Sequence, residues 1–288
     1  MKPLKGIRIV SLALNLPGPA ALMRCRALGA TCIKVEPMIA SGGDPMKTYN
    51  PAAYAQMHAG VRTLTLDLKT AQGQARLGLE LDKADVLLTS FRPSALKRLG
   101  LDWPQLRKRH PKLWQVAIVG GEGVAAEVAG HDLTYLAEQG LVTGLDLPAS
   151  LFADMTGSLL AVEAILGAAL QQKMLAKPQQ IKVSLGAAAQ YAALPRGWGL
   201  TAPSGAVGGA HAGYQVYKCK DGRAAVAALE PHFAKNLCAL AGLDNIDFAA
   251  MMQPKTKADL KRWFAKQTCT ALNALAEEHD LPIYTLKP

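Results

Sequence analysis

The feature that most constrains the fold is an alternation in the first half of the chain. Short apolar runs are separated by segments of helical pattern, with brief connections between them. Residues 7–12, 31–36, 63–68, 85–88 and 113–119 read as strands. Helical patterns occupy about 20–28, 71–81, 93–99 and 104–109, three of them with proline near the start and the first followed by Gly29. Strand and helix in alternation predict a parallel sheet covered by helices. A long, mostly apolar helix is expected over 151–175 and another strand over 180–184. Beyond a Gly-, Pro- and Ala-rich stretch, runs at 214–218 and 224–229 flank Lys220-Asp221-Gly222, a hairpin signal. Helical patterns then cover 232–242 and 257–279. The expected organisation is a Rossmann-like α/β large domain over 1–185, a linker over 186–211 and a small α+β domain over 212–288.

Composition narrows the function classes. Half of the 288 residues are apolar, as in a globular chain, and the longest apolar run, 158–170, is shorter than a membrane span and contains Glu163. Five cysteines form no C-x-x-C pair, which predicts a reduced, cytoplasmic protein. A net charge of +10 calls for an anionic partner, yet aromatic residues are only 6% of the chain and do not interleave with the bases. A small polyphosphate-bearing ligand fits this better than nucleic acid. A nicotinamide dinucleotide does not fit: the first turn reads Asn15-Leu16-Pro17-Gly18-Pro19 instead of G-x-G-x-x-G, and its prolines remove amide donors.

Three short stretches carry the candidate chemistry: Gly130-His131-Asp132, Ala153-Asp154-Met155 and Glu230-Pro231-His232-Phe233. Imidazole exchanges protons near neutral pH, and a carboxyl in apolar surroundings can be raised toward the same range. Taken singly, each also fits an ordinary role: a helix cap for His131, an N-cap for Asp154, loop punctuation for Glu230.

Further segments carry a resemblance. Pro3-Leu4-Lys5-Gly6-Ile7-Arg8, Pro17-Gly18-Pro19, Leu28-Gly29-Ala30, Ile33-Lys34-Val35-Glu36-Pro37, Arg62 through Lys69 and Phe91-Arg92-Pro93 through Arg98-Leu99-Gly100 are all typical of one family. The chain resembles the family III CoA-transferases (CaiB/BaiF), which include formyl-CoA and carnitine-CoA transferases. Gly130-His131-Asp132 with Tyr135-Leu136, Asp154 and Glu230-Pro231 resemble its α-methylacyl-CoA racemase branch. The resemblance implies epimerisation of a 2-methylacyl-CoA through an enolate, with His131 oriented by Glu230 on one face and Asp154 on the other. The opening of the helix at Asp132 would supply backbone donors to the enolate oxygen. Arg62, Arg92 and Arg98, with Leu64 and Tyr135, are expected to hold the CoA portion. No metal or redox cofactor is implied.

Two alternatives stand beside this reading. One is CoA transfer with Asp154 as the nucleophile of an acyl anhydride. The other is a shortened, non-catalytic acyl-CoA-binding homologue. The family's C-terminal return segment is expected to be missing, and the family's interlocked homodimer depends on that segment.

Overall fold

The computed structural model describes residues 1–38, 43–243 and 247–287. The chain divides into two compact units, Met1–Ala193 and Leu194–Pro288. In the first, β1 (Arg8–Ser11), β2 (Thr31–Glu36), β3 (Arg62–Thr65), β4 (Val86–Thr89), β5 (Trp114–Val119) and β6 (Gln180–Ser184) form one sheet in the order β3-β2-β1-β4-β5-β6. Every neighbouring pair is parallel, with Ile9 opposite Cys32 and Val86, and Leu88 opposite Val116.

The central strands β1, β2, β4 and β5 are buried at nearly every position because both faces are covered. Ile9, Cys32, Val86, Leu88, Val116 and Ile118 point to one side, where they meet α1 (Pro17–Ala27), α8 (Phe152–Lys173) and α9 (Leu185–Ala192). Val10, Ile33, Val35 and Leu87 point to the other, against α4 (Ala71–Leu81), α5 (Pro93–Arg98) and α6 (Trp103–Arg109). This is the two-residue period of a strand read out on two buried faces, as parallel sheets require. Strand order reverses between β1 and β4. In open parallel sheets the crevice beyond the strand ends at such a point is where ligands bind.

In the second unit β7 (Tyr214–Cys219), β8 (Gly222–Ala227) and β9 (Ile283–Leu286) form an antiparallel sheet. Tyr217, Val226, Leu237, Leu260, Phe264 and Leu272 lie in its core, with helices α11 (Pro231–Leu240), α13 (Pro254–Phe264) and α14 (Cys269–Glu278) packed on it.

Several elements differ from the sequence expectation. The stretch 186–211 contains most of α9, whose Leu185 and Ala189 belong to the first unit's core, so the division falls after Ala193. The 257–279 pattern is two helices. The Thr268 hydroxyl accepts the Ala271 N–H (3.2 Å), and the Asp221 carboxylate takes the Cys269 N–H (2.7 Å), which starts a new helix there. Strand β9 and the short helices α2 (Met46–Tyr49), α3 (Pro51–Met57), α10 (Leu194–Gly197) and α12 (Phe248–Met251) went unforeseen. Helix α8 extends past the 158–170 run on both sides. At 22 residues it is, among the described residues, the one helix long and apolar enough to cross a membrane. Half of its apolar window is buried inside the unit, with Ala161, Ile165 and Ala168 in the core.

Candidate active site

The crevice at the strand-order reversal is a pocket of about 350 Å³. Asn15 enters it from the loop after β1, Ser90, Phe91 and Arg92 from the loop after β4, and Gly120 from the end of β5. His131 and Tyr135 come from α7 (Asp132–Glu138) and Asp154 from the first turn of α8.

His131 is the N-cap residue of α7, with extended backbone angles. Its backbone N–H donates to the Thr134 hydroxyl (3.1 Å), which donates in turn to the His131 carbonyl (2.8 Å). Asp154 is buried. Burial first, and then the neighbouring charge of Asp132, push its carboxyl up from 3.8 to about 6. The Asp132 carboxylate is buried too, and its Oδ1 accepts the Asp154 backbone N–H at 2.9 Å. That bond ties the start of α7 to the start of α8 and so fixes where His131 and Asp154 stand. The side chain of Asp132 therefore holds backbone. The Tyr135 ring is buried where the chain has no side chains: a Cβ on Gly130 would lie 2.7 Å from it, and one on Gly120 would lie 2.5 Å from its hydroxyl. Burial and then the Asp154 charge push the phenol up. The first unit thus brings together His131, Asp132, Tyr135 and Asp154. Glu230 belongs to the second unit, where it is the exposed N-cap residue of α11.

The basic residues separate into groups. Arg92 lines the pocket as the N-cap residue of α5. Arg98 lines a second cavity of about 690 Å³ together with Lys69, Gln74 and Arg109. A third, about 200 Å³ and mostly apolar, is lined by Val35, Pro37, Leu66 and Phe91 among others. It shares Leu68, Lys69 and Leu99 with the second cavity and Phe91 with the first. Arg62 and Leu64 line none of them. Arg62 faces Glu80 at 3.6 Å, which Arg8 (2.7 Å) and Arg76 (2.9 Å) also contact, and Leu64 packs on the core.

Beside the pocket lies a polar cluster that sequence reasoning missed. Lys34, on β2, is fully buried. Its ammonium pairs with Asp44, with Glu36 (3.2 Å) and with His58 Nε2 (2.8 Å). His58 Nδ1 lies 2.7 Å from the Tyr54 carbonyl, so Nδ1 carries the proton and Nε2 accepts from Lys34. Burial holds the His58 ring's pKa below its ordinary value. Glu36 also meets Lys47 (2.6 Å) and the Tyr54 hydroxyl. Asp44 Oδ1 accepts the backbone N–H groups of Met46 (3.0 Å) and Asn15 (3.3 Å), which anchors the pocket's first loop. The available signal was the spacing of Lys34 and Glu36, which puts two opposite charges on one face of a core strand.

Among the described residues, two trios have ligand atoms close enough to share a metal ion. In the first, Glu36, Asp44 and His58, the Lys34 ammonium already supplies the cation. In the second, Cys219, Asp221 and Cys269, the sulfurs are 3.6 Å apart and burial pushes the Cys269 thiol up to about 11.

The chain is 31% identical over 204 residues to the probable fatty acyl-CoA transferase Rv3272 of Mycobacterium tuberculosis. That match covers 64% of this chain and half the length of that protein. It is 29% identical over 280 residues to the mouse α-methylacyl-CoA racemase, covering 91% of this chain and 71% of the racemase. A crystal structure of a CaiB/BaiF family protein from Brucella suis superposes with a TM-score of 0.81 at 26% identity, over all of this chain and 84% of the other. The family model for CoA-transferase family III matches residues 4–288. This family contains both racemases and transferases, and the chain belongs to it.

Proposed function

We propose that the chain is an α-methylacyl-CoA racemase-like enzyme that moves the α-proton of a 2-methylacyl-CoA. The observation that carries this is a buried carboxyl poised near pH 6 sharing a small pocket with an imidazole. Removing a proton beside a thioester leaves an enolate, and inversion requires its return from a second group. Asp154, with a pKa of about 6, exists in both protonation states at working pH, so it serves as base in one direction and acid in the other. His131 is its partner. The phosphates of CoA are assigned to Lys69, Arg98 and Arg109, and the apolar slot beside Phe91 lies between them and the reacting carbon.

The first test is to incubate the protein with a 2-methylacyl-CoA in D₂O and follow the α-proton by NMR. Exchange that vanishes in His131→Ala supports the reading. Its absence from the unaltered protein with CoA bound overturns it. Replacing Arg98 by alanine removes a charged contact worth about 1.5 kcal/mol or more, so KM for acyl-CoA is expected to rise about tenfold with kcat little changed.

CoA transfer is the second reading, favoured by the likeness to the mycobacterial transferase. The Asp154 carboxylate would attack the thioester carbonyl, forming an anhydride as the C–S bond breaks and CoA thiolate leaves. Hydroxylamine would trap that anhydride as an Asp154 hydroxamate, and proton transfer would leave nothing to trap.

A further inference from the structure

The first loop of the pocket holds a residue that neither functional reading uses. Asn15 is one of three non-glycine residues with a left-handed backbone among those described, at φ 66°. Such a conformation persists where its surroundings over-determine it. Here the Asn15 backbone N–H is taken by Asp44, itself paired with the buried Lys34. The side-chain Oδ1 accepts from the Tyr49 hydroxyl. The amide nitrogen Nδ2, with two N–H donors, has no hydrogen-bond partner among the described residues, and Asn15 lines the pocket alongside His131 and Asp154. Tyr49 is close enough to this centre for the charges of Asp44 and Asp154, after burial, to push its phenol up, so it keeps the proton it donates.

We propose that Asn15 is a further catalytic residue, whose side-chain amide donates a hydrogen bond to the thioester carbonyl oxygen as negative charge builds on it. This rests on the proton-transfer reading of the same pocket. A donor held at both its backbone and its far oxygen reorganises little when charge develops, which is what makes such groups effective. An uncharged donor also leaves Asp154 free to protonate, which a cation in its place would oppose.

Asn15→Gly is the decisive variant, because glycine adopts a positive φ without strain and loses only the side chain. With a 2-methylacyl-CoA, kcat for α-proton exchange is expected to fall about 10²-fold, with KM within about threefold. Tyr49→Phe keeps the amide but frees its oxygen, and an intermediate loss of about three- to tenfold is expected. Asn15→Asp, which replaces the donor by an acceptor, should lose at least as much as glycine. A glycine variant that keeps kcat within threefold overturns the assignment and leaves Asn15 as a turn residue only. If the unaltered protein shows no exchange, the functional reading fails and this assignment fails with it, so the two failures are told apart by the unaltered protein alone.

Discussion

Asp154→Asn is expected to lose at least about 10³-fold in α-proton exchange while becoming more stable. The carboxyl of Asp154 titrates at about 6 in the folded chain against 3.8 ordinarily. Below pH 3.8 it is protonated in both states and contributes nothing. Between 3.8 and 6 the folded form binds the proton more tightly, so stability falls as pH rises through this window. Above 6 the full penalty stands, at most about 3 kcal/mol for a shift of this size. Asparagine is neutral at every pH and carries no such penalty. The urea midpoint of the variant should therefore exceed that of the unaltered protein at pH 7.5, and the gap should close by pH 4. The same carboxyl sets the rate profile. The direction in which Asp154 takes the proton should speed up as pH rises through about 6, and the direction in which it gives one should slow down. A flat profile in both directions, or a variant with no stability gain at pH 7.5, would remove Asp154 from this role.

Lys34→Met should be the most destabilising single substitution in the first unit. Methionine preserves most of the side-chain volume, but it leaves the carboxylates of Glu36 and Asp44 buried with no cation between them. Breaking a buried ion pair from one side typically costs about 3–5 kcal/mol, a large part of the about 5–15 kcal/mol by which a domain is stable. Lys47 remains on Glu36, so the damage should concentrate at Asp44 and the Asn15 loop that it anchors. Adding Asp44→Asn to Lys34→Met removes the stranded charge and should restore part of the loss. Urea unfolding of the single and double variants measures both. A single variant within 1 kcal/mol of the unaltered protein would contradict this account.

The strands of the first unit were legible because both faces of a parallel sheet are buried. A run as short and apolar as 113–119, closed by Pro111 before it and Gly120 after it, is too brief for a helix and fits a core strand. Helix α4 was legible to the residue, since Thr70 caps it and its apolar period is clear. Strand β9 was not: four residues near the chain's end become a strand only because β8 presents an unpaired edge to them. Helix α9 was hidden in a Gly- and Ala-rich stretch because small residues that pack closely on α8 look like those of a linker.

The same division runs through the site. His131, Asp132 and Asp154 stood out in the sequence because polar residues at helix starts in apolar surroundings carry their chemistry with them. Their arrangement did not, since the bond from the Asp154 N–H to Asp132 joins residues 22 apart. Arg62 read as a phosphate ligand because its partner Glu80 is 18 positions away and is brought close only by packing. Lys34 entered the sequence reading only as part of the segment 33–37, and its charge gained its partners when the fold set Asp44 and His58 against it. Residue types and periods determined the class of fold and the candidate site residues of the first unit, because both are local properties of the chain. Which charges neutralise one another, and that Asn15 shares a pocket with Asp154 while its amide stays unpaired, only the tertiary structure decided, because burial and proximity between distant residues exist only once the chain has closed on itself.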